Sequence, residues 1–527
     1  MAPNALLSVS DKEGLLPLAQ ALLNQGYRLI SSGGTAAALA AASLPVVRVA
    51  ELTGAPEILG GRVKTLHPRI HGGILARRDE PSHQRDLEEQ AIEPIDVVVV
   101  NLYPFERTVS QAGVGWEAAL EQIDIGGPTM VRAAAKNHAH VAVLTDPSQY
   151  PSFMAALQAG RVDQDLRRRL ALAAFRHTAA YDTAISVWWA ERLEREQAAP
   201  PLGEEPSPPP LTLQLPALRE LRYGENPHQS AIWYGSPALG WGAAQQLQGK
   251  DLSFNNLMDL EAALACVREF GYPPSESGPQ VAAAAVIKHT NPCGVATGTS
   301  AAEALRRALD ADRLSAFGGV VALNQPVDHA SAEALTSLFL ECVVAPSYSA
   351  DACALLAAKP NVRLLALDGE ALAARPRRQV RSLVGGLLVQ EADDQPLNPQ
   401  EWRVVSGRQP SEQEWLDLRF AWRVVRHVRS NAIVVAAAGQ TLGIGAGQTN
   451  RVGAARLALE AAGAQAEGAV LASDGYFPFD DTVRLAASHG IRAVIQPGGS
   501  VRDGESIAAC DALGLAMVTT GRRHFLH

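Results

Sequence analysis

Residues 27–42 read YRLISSGGTAAALAAA, and this stretch decides the fold class of the first half of the chain. A short apolar run is followed by a glycine turn and then by an alanine-rich segment, which is the pattern of a strand that leads into a helix. The same alternation returns in DVVVV, MVRAAAKNHA and VAVLTD, which begin at residues 96, 130 and 141. Strands that alternate with helices predict an α/β domain with a largely parallel sheet.

The second half repeats this alternation after a linker. Its strand candidates are VAAAAVI, GGVVAL, NAIVVAA, AVLAS and RAVIQP, which begin at residues 281, 318, 431, 469 and 492. Residues 197–211 are rich in proline and acidic residues, which is typical of a semi-rigid linker. We therefore predict one domain over residues 1–196, the linker, and an α/β half of two subdomains over residues 212–527. The polar turns of residues 288–293 and 431–448 suggest an internal duplication.

Composition narrows the class of protein. The chain has 527 residues, 47% of them hydrophobic and 19% charged, with a formal net charge of -9. This balance is globular and gives no electrostatic reason to expect a nucleic-acid or anionic-membrane partner. The five cysteines are scattered without CxxC spacing, which argues against a disulfide framework or structural zinc. With neither a signal peptide nor an apolar run of about 20 residues, the chain is expected to be cytoplasmic.

The SSGGT turn of residues 31–35 is a candidate phosphate site. Glycines let the backbone approach a ligand, while free amides and the positive end of a helix dipole attract an anion. The spacing matches neither Walker A nor GxGxxG, so it does not imply a nucleoside triphosphate or a dinucleotide. The alternative is an ordinary turn with Ser32 or Thr35 as the helix N-cap.

Three further loops of the first half carry polar side chains. GGRVKTLHPRIHGG, from residue 60, places basic residues between glycine pairs, as a phosphate-binding loop would. NLYPF follows a buried strand, and ligands of open α/β sheets bind beyond the carboxyl ends of strands. DIGGPTMVRAAAKNH begins with Asp124 and ends near Lys136. A carboxylate, two lysines and a phenol on loops of this kind resemble a proton-transfer site.

Residues 288–294, KHTNPCG, follow an apolar strand in the second half and pose a sharper choice. A zinc deaminase needs His-x-Glu and Pro-Cys-x-x-Cys, and this segment has neither, so a metal site is not expected. A plain turn built by Asn291, Pro292 and Gly294 explains those residues but not the adjacent lysine and histidine. Because neighbouring cationic groups disfavour each other's charged form, we interpret Lys288 and His289 as an acid/base pair.

Other segments of the second half could complete a ligand pocket. LRYGENPHQ, from residue 221, and RSNAIVV, from residue 429, offer polar donors, and GIGAGQTNR, from residue 443, can form an anion nest. The aromatic residues of SDGYFPFDD, from residue 473, suit a flat heterocycle. Two anion-competent halves joined by a linker suggest a bifunctional enzyme that acts on a phosphorylated small molecule.

In this order the motifs resemble the bifunctional purine-biosynthesis family with AICAR formyltransferase and IMP cyclohydrolase activities, from Ser8 nearly to His527. The motifs that carry the resemblance are SVSDK, SSGGT, GGRVKTLHPRIHGG, NLYPF, DIGGPTMVRAAAKNH, LRYGENPHQ, LQGKDLSFNN, KHTNPCG, SAFGG, RSNA, GIGAGQTNRV, SDGYFPF and GGSVRD. The resemblance implies that the second half moves a formyl group from 10-formyltetrahydrofolate, as cosubstrate, to AICAR. The first half then closes formyl-AICAR to IMP with loss of water.

The resemblance also implies architecture and assembly. The first domain is expected to be similar to methylglyoxal synthase, with its core over about residues 1–150 and a helical segment after it. The second half is expected to be a duplicated cytidine-deaminase-like fold without zinc. The family implies a homodimer with transferase sites at the subunit interface, and no metal cofactor.

Residue roles follow from the same resemblance. His289 is expected to be the base of formyl transfer, and Lys288 a donor to the oxyanion or to the leaving nitrogen. The expected catalytic set of the cyclohydrolase half is Lys64, Tyr103, Asp124 and Lys136. Its expected substrate-binding set is Ser10, Lys12, Ser32, Gly33, Gly34, Thr35, Arg62, Thr65 and Asn101. The transferase half is expected to bind nucleotide through Arg222, Tyr223, His228, Asn431 and Arg451, and folate through Tyr476 and Arg523.

Two alternatives remain open on sequence alone. The first half could be a non-catalytic effector-binding module of the kind that shares the methylglyoxal-synthase fold. In the second alternative the chain is a zinc deaminase-like hydrolase, which stoichiometric zinc in the purified protein would reveal.

Overall fold

A computed structural model describes residues 2–111, 113–196, 211, 213, 215–273, 281–372 and 378–527. The chain forms two compact units, Met1–Gln214 and Leu215–His527. Except for Leu211, the predicted linker lies outside the described residues, so its conformation is not characterised.

The first unit is an α/β domain. Its strands are β1 (Asn4–Val9), β2 (Arg28–Ser31), β3 (Val47–Arg48), β4 (Val97–Asn101) and β5 (Ala142–Leu144). Its helices are α1 (Leu15–Asn24), α2 (Gly33–Ala41), α3 (Val49–Thr53), α4 (Pro68–Leu75), α5 (Pro81–Glu89), α6 (Phe105–Val109), α7 (Trp116–Leu120), α8 (Gly126–Lys136), α9 (Tyr150–Gln158) and α10 (Gln164–Glu196).

The five strands of this unit form one parallel sheet in the order β3-β2-β1-β4-β5, as the sequence predicts. Each of Val97 to Val100 in β4 is buried, which is expected of a parallel strand covered on both faces. The strand order reverses between β1 and β4. In open α/β sheets such a reversal creates a crevice beyond the carboxyl ends of the two strands, where ligands bind.

The second unit contains the remaining elements. Its strands are β6 (Ala217–Leu221), β7 (Ala231–Tyr234), β8 (Gln245–Gln248), β9 (Ala282–Lys288), β10 (Asn291–Gly298), β11 (Gly319–Leu323), β12 (Leu340–Ala345), β13 (Arg363–Ala366), β14 (Arg378–Leu383), β15 (Gly386–Glu391), β16 (Arg403–Val404), β17 (Ile433–Ala437), β18 (Gln440–Gly445), β19 (Val470–Ser473), β20 (Ala493–Gln496) and β21 (Ala516–Thr519). Its helices are α11 (Phe254–Arg268), α12 (Ala301–Ala311), α13 (Arg313–Ala316), α14 (His329–Thr336), α15 (Ala350–Leu356), α16 (Glu412–Val425), α17 (Arg451–Ala462), α18 (Asp481–Ser488) and α19 (Asp503–Leu513).

The twelve-stranded sheet of this unit is built from one strand pattern used twice. Its order is β16-β21-β20-β19-β17-β18-β10-β9-β11-β12-β13-β8. From the centre outward, each half has an antiparallel hairpin, three further strands parallel to one another, and an antiparallel edge strand. We name these halves the first repeat, from β8 to β13, and the second repeat, from β16 to β21.

Glycines fit a helix against each hairpin. A Cβ on Gly294 of β10 would stand 2.0 Å from the backbone oxygen of Ala308 in α12. A Cβ on Gly443 of β18 would stand 1.9 Å from the backbone oxygen of Ala458 in α17. The two repeats therefore use the same close packing of helix on hairpin, which only glycine permits.

Candidate functional site

The crevice of the first unit is framed by the ends of β1 and β4. Asn101, the last residue of β4, accepts hydrogen bonds through Oδ1 from the amides of Ser10 and Asp11, and its Nδ2 donates to the Asp11 oxygen at 3.1 Å. Lys12 folds back over this loop, and its Nζ donates to the backbone oxygens of Val9 and Ser10. Burial lowers the pKa of Lys12, and Asp11 opposes that effect. One amide side chain thus fixes the loop that carries Ser10 and Lys12.

The SSGGT turn forms a second wall of the crevice. Ser32 is the N-cap residue of α2, and Gly33 begins the helix at φ 51°. A Cβ on Gly33 would stand 3.3 Å from Nζ of Lys64, and a Cβ on Gly61 would stand 3.1 Å from the same nitrogen. The ammonium therefore lies over the amide-bearing start of α2. A helix N-terminus beside an ammonium group is an environment suited to a phosphate.

Thr35 contributes a structural bond rather than a free hydroxyl. Its Oγ1 accepts from the Val9 amide and donates to the Val9 oxygen, each at 3.0 Å. The side chain is buried, so the hydroxyl locks the end of β1 to the start of α2.

We expect Thr35→Val to lower the free energy of unfolding by about 1–3 kcal/mol, because it leaves two buried backbone groups of Val9 without partners. Urea denaturation followed by circular dichroism measures the change. Thr35→Ser keeps the hydroxyl and is the matched control. Equal stability of the valine variant and the wild type would show that the lock contributes nothing.

Asp124 lies in a polar pocket at the start of α8. Its Oδ1 accepts from the Gly127 amide at 2.8 Å, and its own amide donates to the Tyr181 hydroxyl at 2.8 Å. Burial raises the pKa of the Asp124 carboxyl above its ordinary value of 3.8, against the opposite effects of the Gly127 and Gly126 amides and the Lys64 ammonium. A carboxyl with a raised pKa that lies within the field of a lysine suits acid/base chemistry.

Tyr181, on α10, is a site-forming residue that sequence reasoning missed. Its hydroxyl accepts from the Asp124 amide and donates to the Gln122 oxygen at 2.9 Å. Burial raises its pKa to about 12, so the phenol stays protonated at neutral pH and can make both bonds. It lies 57 residues from Asp124 on a long helix, and no sequence pattern marked it.

Some predicted residues of the first unit come together and others do not. A Cβ on Gly126 would stand 2.7 Å from the Thr65 hydroxyl, so the Lys64–Thr65 segment reaches from the SSGGT turn to the Asp124 pocket. Arg62 is exposed and paired with Glu121. Lys136 is the exposed last residue of the 11-residue helix α8, whose ends are about 15 Å apart. Within one chain, Lys136 is thus separated from the Asp124 end of that helix.

Tyr103 follows β4 and is 44% exposed. Its phenol is close enough to Tyr181 to contribute to the raised pKa of the Tyr181 hydroxyl, so it lies on the Asp124 side of the crevice.

In the second unit, Lys288 is the last residue of β9, and His289 is the first residue of the connection between β9 and β10. His289 has φ 54° and Thr290 has φ 62°, so a two-residue turn with both central residues left-handed joins the strands. Such a turn favours Asn-Gly, and a left-handed L-residue costs roughly 1–2 kcal/mol. The turn is not at Asn291–Pro292, as the plain-turn interpretation supposed, because Asn291 already begins β10 and Pro292 is buried.

Two groups hold this strained turn. The Thr290 amide donates to Oδ1 of Asp259 on α11 at 2.6 Å. Nε and Nη2 of Arg429, from the second repeat, donate to the Thr290 hydroxyl at 3.1 and 3.0 Å. Lys288 donates through Nζ to the Phe317 oxygen at 2.9 Å, while the His289 side chain is exposed. Strain that is held this firmly is typical of a functional site.

Asn431 and Arg451 belong to one cluster, in which Arg451 is buried and Asn431 is partly exposed. Oδ1 of Asn431 accepts from Nη2 of Arg451 at 2.7 Å, and its Nδ2 donates to the Gln448 oxygen at 2.7 Å. Nη1 of Arg451 donates to Ser473 at 2.8 Å and to Asp474, whose side chain is fully buried. The charge of Arg451 is therefore balanced by Asp474, and its guanidinium orients Asn431.

The two predicted folate contacts lie next to this cluster. The Arg523 guanidinium stands 4.7 Å from the centre of the Phe525 ring. A Cβ on Gly475, which precedes Tyr476, would stand 2.8 Å from that ring and 2.5 Å from Nη2 of Arg451. The C-terminal tail thus brings Arg523 to the Tyr476 segment, and Tyr476 is 44% exposed.

Arg222, Tyr223 and His228 lie in the exposed connection between β6 and β7. Nη2 of Arg222 donates to the Tyr223 hydroxyl at 2.8 Å, and the guanidinium stands 4.7 Å from the centre of that ring. The Asn255 side chain of α11 donates to the Glu225 oxygen at 3.3 Å. This bond ties the connection to the helix that carries Asp259. Within the described part of the chain, His228 makes no hydrogen bond or ion pair.

The described residues contain neither a membrane-spanning helix nor a cluster of metal ligands. No helix there combines the length and hydrophobicity needed to cross a bilayer. Over the same residues, no group of three or more His, Cys, Asp and Glu side chains is placed to hold a metal ion.

Comparison with known proteins gives the family. Residues 14–129 match the model of the MGS-like domain, as the resemblance predicted, and residues 134–461 match the AICARFT/IMPCHase bienzyme model. The chain is 67% identical to the bifunctional purine biosynthesis protein PurH of Synechococcus sp. strain CC9311, 65% identical to that of Parasynechococcus marenigrum strain WH8102, and 65% identical to that of Prochlorococcus marinus strain MIT 9313. Each alignment covers 100% of both proteins.

A solved structure, titled crystal structure of ForH, is 39% identical over 36% of this chain and 97% of its own, with a TM-score of 0.33. The full-length relatives and the family models favour the bifunctional enzyme over the effector-module and zinc-hydrolase alternatives. The chain belongs to the AICARFT/IMPCHase family of bifunctional purine biosynthesis proteins, and it is an AICAR formyltransferase and IMP cyclohydrolase.

Proposed function

We propose that the second unit transfers the formyl group of 10-formyltetrahydrofolate to the 5-amino group of AICAR, at the β9–β10 turn. The observation that carries this assignment is the pair of Lys288 and His289 on a strained turn held by Asp259 and Arg429. His289 takes the amine proton as the new N–C bond forms. Lys288 stabilises the oxyanion or protonates the folate nitrogen as the old N–C bond breaks. Its ammonium has three donors, and the Phe317 oxygen uses one.

We assign the substrate contacts of this unit to the residues that the family resemblance indicates. Arg222, Tyr223 and His228 supply exposed donors for the nucleotide. Asn431 meets the imidazole carboxamide, and Arg451 holds Asn431 in place for that contact. The support for Tyr476 and Arg523 as folate contacts is their proximity at the C-terminal tail.

In the first unit we assign the cyclohydrolase site to the crevice between β1 and β4. The carboxamide nitrogen of formyl-AICAR attacks the formyl carbon, and water leaves after proton transfer. Asp124 and Lys64 are assigned to these transfers, with Tyr103 nearby. The nucleotide phosphate lies at the start of α2, among Ser10, Lys12, Ser32, Gly33, Gly34, Thr65 and Asn101. Thr35 supports the wall, and Arg62 reaches the nucleotide when it leaves Glu121.

We include Lys136 in the catalytic set on the resemblance to the family alone. It lies at the far end of α8 from Asp124, so the geometry of one chain does not bring the two side chains together. Its assignment is tested by Lys136→Ala, assayed with added formyl-AICAR.

The test of the whole proposal is incubation of the purified chain with AICAR and 10-formyltetrahydrofolate, followed by separation of the nucleotides. IMP is the expected product, with formyl-AICAR as a transient. A chain that formylates AICAR but leaves added formyl-AICAR unconverted to IMP would overturn the cyclohydrolase assignment.

We also infer that the two repeats are cytidine-deaminase-like subdomains. The support is that both repeats follow one strand pattern, with a hairpin, three parallel strands and intervening helices. The proposed domain limits, 1–196 and 212–527, are supported by the division into two compact units at residues 214 and 215. Five free cysteines support a cytoplasmic, reducing location.

A homodimer completes the proposal, with transferase sites at its interface. The β14–β15 hairpin is exposed over its whole length, and Val380, Leu387 and Val389 lie on one of its faces. That face also carries Arg378, Ser382 and Glu391, and exposed Leu383 and Leu388 lie on the other face. A two-stranded hairpin is marginal in water, so apolar side chains exposed in this way favour a covering partner. A second copy of the chain is the partner that we assign.

We expect Val389→Glu to shift the sedimentation profile from dimer toward monomer, because a charge would be buried in the interface. Gln379→Glu, on the opposite face of the hairpin, should leave the profile unchanged. A dimer that persists in the first variant at low micromolar concentration would remove the hairpin from the interface.

A further inference from the structure

Asp259 is partly buried and lies beside the turn that carries the proposed base, His289. The proposed reaction steps do not use its carboxyl. It is the sixth residue of α11, and its carboxylate accepts the Thr290 amide at 2.6 Å. Burial raises the pKa of the Asp259 carboxyl, and the Thr290 amide and the charge of His289 act against that effect. One side chain thus holds the turn through the backbone amide of its second residue.

The second repeat contains the same contact. Asp417 is the sixth residue of α16, and its Oδ1 accepts the Gly439 amide at 3.0 Å. Gly439 is the second residue of the β17–β18 turn, where Ala438 has φ 50° and Gly439 has φ 68°. The aspartate-to-turn bond is therefore a shared part of both repeats.

The two turns differ in what the bond must hold. The second turn is Ala-Gly, and glycine adopts a positive φ without penalty. The first turn is His289–Thr290, and a β-branched residue at φ 62° is a genuine outlier. Where the second repeat has Ala437 and Ala438, the first has Lys288 and His289. The same bond thus stabilises an unreactive turn in one repeat and a strained, reactive turn in the other.

We propose that Asp259 is a positioning residue for formyl transfer, which fixes the turn so that the His289 imidazole faces the substrate amine. The inference rests on the assignment of His289 as the base. Asp259 acts through the backbone of the turn and does not touch the substrate.

The test compares Asp259→Ala with Asp417→Ala, which removes the equivalent carboxylate from the unreactive turn. We expect Asp259→Ala to lower kcat of formyl transfer about 10–100-fold, the effect of a base displaced by about 1 Å. The KM for AICAR should stay within about twofold, because the nucleotide contacts lie elsewhere. Asp417→Ala should lower kcat less than about threefold at a comparable loss of thermal stability.

Two further variants separate positioning from folding. Asp259→Asn keeps an acceptor oxygen for the Thr290 amide and should retain most of kcat. Asp259→Glu keeps the charge but moves the carboxylate by one methylene, so it should fold and still lose kcat. If Asp259→Ala and Asp417→Ala lower kcat equally, or if Asp259→Glu transfers formyl at the normal rate, Asp259 has only a structural role.

His289→Ala, assayed in parallel, distinguishes a failure of the base assignment from a failure of the positioning role of Asp259. If it transfers formyl normally, the assignment of the base fails and this inference fails with it. If it loses transfer while Asp259→Ala keeps it, only the positioning role of Asp259 fails.

Discussion

His289→Ala is expected to lower the rate of formyl transfer about 10²–10⁴-fold, because it removes the group that takes the proton from a weakly basic aromatic amine. The turn should persist, since Ala438 adopts φ 50° at the equivalent place in the second repeat. Cyclisation of added formyl-AICAR should be unchanged, because we assign that site to the other unit. The measurement is a pair of separate assays on the purified variant.

His329→Ala is the matched control for this prediction. His329 is an exposed histidine at the start of α14 in the same unit, and it pairs with Glu333. It should retain both activities. Normal formyl transfer by His289→Ala would show that KHTNPCG is only a turn.

Asp124→Asn should lower cyclisation by a similar factor, about 10²–10⁴-fold, since an amide cannot exchange a proton with the substrate. Formyl transfer should continue, so formyl-AICAR accumulates in place of IMP. Asp182→Asn, an exposed carboxylate beside Tyr181 on α10, is the control and should form IMP normally. Failure of formyl-AICAR to accumulate in the Asp124 variant would contradict the assignment.

The same variant should not lose stability at neutral pH. The pKa of Asp124 is raised on folding, so the folded state binds its proton more tightly than the unfolded state. The contribution of Asp124 to the free energy of unfolding then falls as the pH rises from its ordinary pKa of 3.8 through its higher pKa in the folded state. Asp124→Asn removes that penalty, so its stability relative to wild type should increase over this range and be greatest above it. Thermal unfolding between pH 4 and pH 7 tests the sign.

Local pattern was enough to predict the strands that are buried on both faces. The segments around Val97 and Ala282 are continuous apolar runs bounded by turns, and they form β4 and β9. β10 and β18 were not predicted, because glycine and proline weaken their strand pattern. Those glycines are needed for helix packing, a tertiary requirement that local propensity does not express.

The predicted site residues differ in how far sequence could place them. Ser10 follows β1 and Asn101 ends β4, and these strands pair with each other, so the sheet order alone brings the two residues together. Tyr181 lies on a helix distant in sequence from Asp124, and Asp259 lies three residues beyond LQGKDLSFNN, so only the folded chain shows what they contact. Arg451 carried a charge that suggested a ligand contact, but that charge is neutralised by Asp474.

The pairing of β10 with β18 bears on how the transferase unit is built. These strands occupy equivalent places in the two repeats and run antiparallel, which is the relation that a two-fold axis imposes. A single repeat would leave its hairpin as an open sheet edge, exposed to association with another copy. The unit thus has the form of a homodimer whose two copies are joined in one chain, and the join covers the hairpin edge of each repeat with that of the other.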